Sequence, residues 1–142
     1  MSMTVCKFGG TSLADGNNIR RAADIVLADP ARRFAVVSAP GKRFSEDVKV
    51  TDLLYACDKE CAATGGCGEA FARIRRRFLS IVDELGLHFD IGPILDKTQE
   101  EIERNRNADF TASRGEYLNA RIMAALLGWE FVDAKDIIFF NE

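Results

Sequence analysis

Apolar residues fall at helical spacing in several stretches of the chain and at continuous spacing in a few short ones. Ile19, Ala22, Ala23, Val26 and Leu27 follow the i, i+3, i+4, i+7, i+8 stripe of a helix lying on a sheet. Asn17 or Asn18 offers its cap, and Asp29-Pro30 ends it. This helix sits between two short runs, Thr4 to Phe8 and Phe34 to Ser38. The second run is apolar from Phe34 through Val37, the pattern of a parallel strand buried on both faces. Strand, helix and strand at this spacing predict a βαβ unit. Beyond the loop Ala39 to Val50, the spacing predicts helices from Thr51 to about Ala63, Glu69 to Leu85, Pro93 to about Arg106, and Ser113 to Leu127. In the third helix Phe71, Ile74, Phe78, Ile81, Val82 and Leu85 face inward, while Arg73, Arg75, Arg76 and Arg77 read as a solvated face. Glu130 to Asp133 and Ile137 to Phe140 read as further strands. The expected class is α/β, with a mainly parallel sheet.

Ile137 to Phe140 reads as a buried central strand, yet the sequence stops two residues later. A buried parallel strand needs a neighbour or a crossover helix to cover it. The expectation is therefore a portion of a larger domain, or a second chain that covers this end.

Composition narrows the functional classes. The 142 residues are 47% apolar and 29% charged, with a net charge of −3, as in an ordinary globular domain. Slight acidity gives no general attraction to nucleic acid or to membrane surfaces. No run approaches the roughly 18 apolar residues of a membrane span, and no signal-peptide layout opens the chain. Four cysteines without such a signal read as reduced cytoplasmic thiols. Cys57, Cys61 and Cys67 with His88 do not have the usual zinc-knuckle spacing, so no metal site is expected.

Three segments carry candidate chemistry. Lys7-Phe8-Gly9-Gly10-Thr11-Ser12 lies where a strand gives way to a turn and a helix. Glycines there let backbone N–H groups approach a phosphate, Lys7 adds a charge, and Thr11 and Ser12 add hydroxyls. A plain tight turn is the alternative, although a lysine in a buried strand is costly without a partner. Ser38-Ala39-Pro40-Gly41-Lys42 follows the second strand, and ligands of open α/β sheets bind beyond the carboxyl ends of strands. Ser113-x-x-Glu116 has the form of a capping box, whereas Gly115 beside Glu116 suggests a close approach and a carboxylate able to receive an ammonium group.

Taken in order, Lys7-Phe8-Gly9-Gly10-Thr11-Ser12-Leu13, Val36-Val37-Ser38-Ala39-Pro40-Gly41, Thr51-Asp52-Leu53-Leu54 and Gly115-Glu116 resemble the amino-terminal half of aspartokinases. Phe131-Val132-Asp133-Ala134 and Asp136-Ile137-Ile138 fit the same pattern. The resemblance implies a partial amino acid kinase fold, a three-layer α/β/α sandwich, over residues 1–142. The nucleotide-binding half and the regulatory ACT domains would be absent from these residues. It implies transfer of the γ-phosphoryl group of ATP, with Mg²⁺, to the side-chain carboxylate of L-aspartate. The product, 4-phospho-L-aspartate, leads to lysine, threonine and methionine. Lys7 would be catalytic, and with Gly9, Gly10, Thr11 and Ser12 would contact phosphate. Ser38 and Thr51 would contact aspartate, and Glu116 would hold its α-ammonium group. A cytoplasmic homo-oligomer with no nucleic-acid or membrane partner is implied. A non-catalytic binding or assembly module on the same half-fold, or a different amino acid kinase, are the alternatives.

Overall fold

The computed structural model describes residues 2–141. Strands β1 (Thr4–Lys7) and β2 (Arg32–Val36) pair in parallel, with Val5 opposite Phe34 and Lys7 opposite Val36. Helix α1 (Gly16–Leu27) makes the crossover, so the βαβ unit stands. A 3-10 turn, Gly10–Leu13, separates β1 from α1. Helices α2 (Val50–Thr64), α3 (Gly68–Leu85), α4 (Gly92–Asn105) and α5 (Ala108–Leu127) follow, then a second 3-10 turn, Ala134–Asp136.

The core lies among the helices. α2 packs against α3 and α5, α1 against the same two, and α4 against α5 and α3. Phe71, Ile74, Phe78 and Ile81 of α3 are buried together with Leu54, Leu95, Ile102, Leu118 and Ile122. Each such side chain contributes roughly 1.5–3 kcal/mol of burial free energy. The predicted inward stripe of α3 is therefore correct, and that of α1 holds except for Leu27, which is 57% exposed. Gly115 lies inside α5 at its tightest contact. A Cβ there would stand 2.6 Å from Cβ of Ala39 and 3.3 Å from Cδ1 of Leu54. Glycine at this position lets α5 close on α2 and on the loop after β2.

Several expectations change in the structure. α1 is capped by Asp15, whose carboxylate accepts from the Asn18 N–H at 2.8 Å, rather than by Asn17 or Asn18. α5 starts at Ala108, capped by Asn107, so Ser113 and Glu116 lie within the helix and form no capping box. The Ser113 hydroxyl instead donates to the Phe110 carbonyl. α2 begins at Val50, placing Thr51 in its first turn. The runs Glu130 to Asp133 and Ile137 to Phe140 form no strand among the described residues. Neither pairs with another strand there: the N–H groups of Ile137 and Ile138 donate back to the Ala134 carbonyl, and Asp133 caps the second 3-10 turn through the Lys135 N–H. Strand β2 is not buried on both faces. Phe34 and Val36, with Val5 beside them, are half exposed, whereas Cys6, Ala35 and Val37 point to the more covered side. A sheet of two strands with one covered face leaves these side chains to solvent.

Bare apolar surface therefore runs from Val5, Phe34 and Val36 to Ile137, Ile138, Phe139 and Phe140, the last 93% exposed. Patches of this kind drive association. The chain as given is expected to self-associate, with light scattering giving a mass that rises with concentration. A strictly monomeric chain over the whole range would refute this.

Candidate functional site

The two strands run in parallel, so the loops at their carboxyl ends leave the sheet side by side. These are the 3-10 turn after β1 and the segment Ser38 to Gly41 after β2. Their backbones touch. The Gly41 N–H donates to the Gly10 carbonyl at 2.8 Å. A Cβ on Gly41 would lie 2.7 Å from the Gly10 carbonyl carbon, and one on Gly10 would lie 2.9 Å from the Ala39 oxygen. Both glycines are needed for main chain to meet main chain.

The loop from Pro40 to α2 returns to its origin, with the Val50 N–H donating to the Pro40 carbonyl at 3.1 Å. Arg77 locks this arrangement. Its guanidinium donates to Asp47 Oδ2 at 2.9 Å, to the Gly41 carbonyl at 2.6 Å and to the Ala14 carbonyl at 2.8 Å. The arginine is only 6% exposed, which corrects the reading of 73–77 as a wholly solvated face. Arg75 does face outward, paired with Asp96. Asp47 also accepts from Nε and Nη2 of Arg43, at 2.7 and 2.9 Å. The Arg43 hydrogen bonds, then further backbone donors and the Arg77 charge, hold the Asp47 carboxyl far below the usual carboxylate range against the opposing effect of burial.

A pocket of about 230 Å³ opens between these loops, α2 and α5. Its lining brings together Gly10, Thr11, Ser38, Thr51 and Glu116, all singled out from the sequence, and adds Lys49. Ser38 donates its hydroxyl to the Phe8 carbonyl at 3.0 Å, and its own carbonyl accepts from Nδ2 of buried Asn119 at 2.8 Å. Glu116 stands one helical turn before Asn119 on α5, so a single helix both fixes the loop and presents the carboxylate. At the start of α2, Leu53 is the first residue to make the i to i−4 bond, and the N–H groups of Thr51 and Asp52 have no acceptor among the described residues. Lys49 precedes them. The pocket thus carries a carboxylate on one wall, and on another a lysine and a helix N-terminus. That pairing suits a zwitterion. Its volume lies below the roughly 300–1,000 Å³ of pockets for drug-sized ligands, as an amino acid requires.

Lys7, Gly9 and Ser12 do not line this pocket. Lys7 is exposed at the end of β1, so the expected cost of burying it does not arise. Beside it the N–H groups of Gly9, Gly10 and Thr11 take no backbone acceptor among the described residues. Nothing in this chain's packing requires glycine at 9, where an added Cβ would meet nothing within 4 Å and φ is −82°. Cys57, Cys61 and Cys67 are buried free thiols, and burial pushes Cys57 up to about 12 and Cys67 higher still. They stay protonated and are core side chains. Among the described residues no group of three or more His, Cys, Asp or Glu side chains could hold a metal ion.

Sequence reasoning missed Lys49, Arg77 and Asn119. A lysine two positions before Thr51 was a usable sign for the first. The other two act through contacts distant in sequence, and no local pattern marks them.

A glycine-bearing turn and a small pocket lined by side chains of both charges lie together at the carboxyl ends of the parallel strands. The chain belongs to the amino acid kinase family, whose model matches residues 2–141. Within that family it is similar to aspartokinases. It is 37% identical to aspartokinase 3 of Bacillus subtilis over 97% of this chain and 33% of that protein. It is 39% identical to the aspartokinase of Chlamydia muridarum over 94% of this chain and 30% of that one. The crystal structure of Clostridium acetobutylicum aspartate kinase superposes with a TM-score of 0.95 at 42% identity, over 99% of this chain and 32% of that chain. Escherichia coli aspartokinase III in complex with aspartate and ADP superposes with a TM-score of 0.68 at 26% identity, over 89% of this chain and 29% of that one. The chain therefore spans about a third of the length of these relatives.

Asp47 supplies a pH test of the loop lock. Its folded pKa is depressed, so its contribution is complete above the unfolded value of about 3.9 and fades as pH falls below it. Asp47→Asn should cost about 3 kcal/mol at pH 7, because it strands a buried arginine. Denaturant unfolding should show the gap between variant and parent narrowing below about pH 4. A gap independent of pH would refute the ion-pair account.

Proposed function

We propose that this chain forms the aspartate-binding part of an aspartokinase catalytic domain, with the nucleotide-binding half and any regulatory ACT domains lying outside these 142 residues. The observation that carries the proposal is the pocket whose lining joins Glu116 to Lys49 and Thr51 at the start of α2, with Thr11 and Ser38. The aspartate complexes of the E. coli relative support the same choice of substrate.

In this reading Glu116 holds the α-ammonium group of L-aspartate. The N–H groups of Thr51 and Asp52, together with Lys49, receive its α-carboxylate. Ser38, whose hydroxyl proton is committed to Phe8, offers its remaining lone pairs to a donor. The side-chain carboxylate is directed towards Lys7 and the donors of Gly9, Gly10 and Thr11. Aspartate has a reference pKa of about 3.9, so the attacking oxygen is already ionised and no general base is needed. A bond forms between that oxygen and the γ-phosphorus of ATP, and the bond from phosphorus to the bridging oxygen of ADP breaks. Catalysis is positioning and charge neutralisation. Lys7 and the three N–H groups face the oxygens whose charge redistributes during transfer, and Ser12 lies in the same turn. Mg²⁺ would be held by the nucleotide phosphates, its usual partners, and would supply further charge neutralisation there, since the described residues offer no cluster of their own to hold it. The proposed setting is a cytoplasmic homo-oligomer producing 4-phospho-L-aspartate for lysine, threonine and methionine. Four free thiols agree with a reducing compartment.

The test is a chimaera in which these residues replace the equivalent third of C. acetobutylicum aspartate kinase. The chimaera should phosphorylate aspartate in preference to glutamate and acetylglutamate, while the unfused chain should consume no ATP. A folded chimaera without activity would favour a non-catalytic module, and a preference for another acid would favour a different amino acid kinase.

In the chimaera, Glu116→Ala should raise the KM for aspartate roughly 30-fold or more, since losing one partner of a charged hydrogen bond costs about 2–5 kcal/mol. The KM for ATP should change little. An equal rise in both constants would remove Glu116 from the aspartate site.

Lys7→Ala should act mainly on kcat, because the charge it meets is greatest in the transition state. Near-normal turnover in steady-state assays would remove Lys7 from the machinery.

A further inference from the structure

The arginines of α3 line a second pocket, which shares no lining residue with the one that holds Glu116 and Lys49. Arg73, Arg76 and Arg77 are spaced i, i+3 and i+4, so they share one face of the helix. With Arg43 from the loop after β2 they line a pocket of about 420 Å³. Asp47 is the only acidic side chain in that lining. Its two oxygens are already used by Arg43 and Arg77. Glu84, one helical turn beyond Ser80, is committed to the Ser80 hydroxyl and the Gly16 N–H. Arg73 and Arg76 are exposed and have no ion pair or hydrogen bond among the described residues. Arg77 keeps a buried Nε–H without an acceptor.

Four guanidinium groups line this pocket with one carboxylate, and with Glu84 and Asp15 close enough to act on Arg43 the local balance is still positive in a chain of net charge −3. The Arg43 charge further lowers the pKa of Arg77, second only to burial. Guanidinium groups bind phosphate and carboxylate in bidentate fashion, and two unpaired ones beside a half-paired pair give several donors converging on one volume.

We propose that this pocket binds a small multivalent anion, one carrying two or more adjacent phosphate or carboxylate groups. Arg73 and Arg76 make the main contacts, and Arg43 and Arg77 form the inner wall. The site is distinct from the turn at Gly9 to Thr11. The two are linked, because Arg77 also holds the Gly41 and Ala14 carbonyls on either side of the Gly10 contact.

The experiment is calorimetric titration of the full chain at fixed ionic strength, with pyrophosphate and citrate as probes and chloride as the control. Pyrophosphate or citrate should bind saturably at one site per chain, and the stronger of the two identifies phosphate or carboxylate as the preferred group. Arg73→Ala/Arg76→Ala should weaken binding at least about tenfold, as losing charge-assisted contacts requires. Arg75→Ala, whose side chain pairs with Asp96 outside the pocket, should leave binding unchanged. Should the double variant unfold, arginine Nε–H signals of the unsubstituted chain give the same test by NMR. Pyrophosphate should shift the signals of Arg43, Arg73 and Arg76. Absence of saturable binding, equal binding by the double variant, or shifts confined to other arginines would overturn the proposal.

Discussion

Two loops that leave neighbouring parallel strands meet main chain to main chain at Gly10 and Gly41, and the architecture of the site depends on that contact. It brings the turn after β1, three of whose N–H groups lack a backbone acceptor among the described residues, against the segment that carries Ser38 and leads to α2. Any side chain at either glycine would separate them by more than the contact allows. A pair of carbonyl and amide groups is a weak fastener alone, worth about 1 kcal/mol net. Arg77 supplies the rest, reaching both loops and Asp47 from the core side of α3.

Burying an arginine is costly unless the charge is paired and its donors are satisfied. Three acceptors meet that condition for Nη1 and Nη2, leaving only Nε without a partner, and they tie the loop after β2 to the turn before α1. The device is economical in sequence, since one residue of a helix otherwise devoted to packing organises two loops. It also has a by-product. Placing Arg77 inward fixes the face on which Arg73 and Arg76 emerge, and with Arg43 drawn to Asp47, positive charge accumulates beside the lock.

Gly115 does for α5 what Gly10 and Gly41 do for the loops. By admitting Ala39 and Leu54 into contact, it lets the helix approach until Glu116 reaches the pocket and Asn119 reaches the Ser38 carbonyl. Helix propensity would favour alanine at this position by about 1 kcal/mol. Packing overrides it, because a Cβ would have to overlap that of Ala39.

The sequence alone determined what depends on local spacing. The apolar stripe of α3, the βαβ unit and the glycine-bearing turn after β1 could be read because side-chain period and turn chemistry are properties of neighbours along the chain. Five of the residues singled out, Gly10, Thr11, Ser38, Thr51 and Glu116, do meet in one pocket. Tertiary structure decided the rest. Glu130 to Asp133 and Ile137 to Phe140 have the composition of strands but no strand beside them among the described residues, and a strand exists only as one side of a ladder. Ser113 and Glu116 have the spacing of a capping box, but Asn107 starts the helix earlier and turns both into interior positions. Arg77 looks like its three neighbouring arginines in sequence, and only the arrival of Asp47, Gly41 and Ala14 from distant segments separates it from them. Periodicity specifies which face of a helix is apolar, whereas the partner of a buried charge is chosen by the fold.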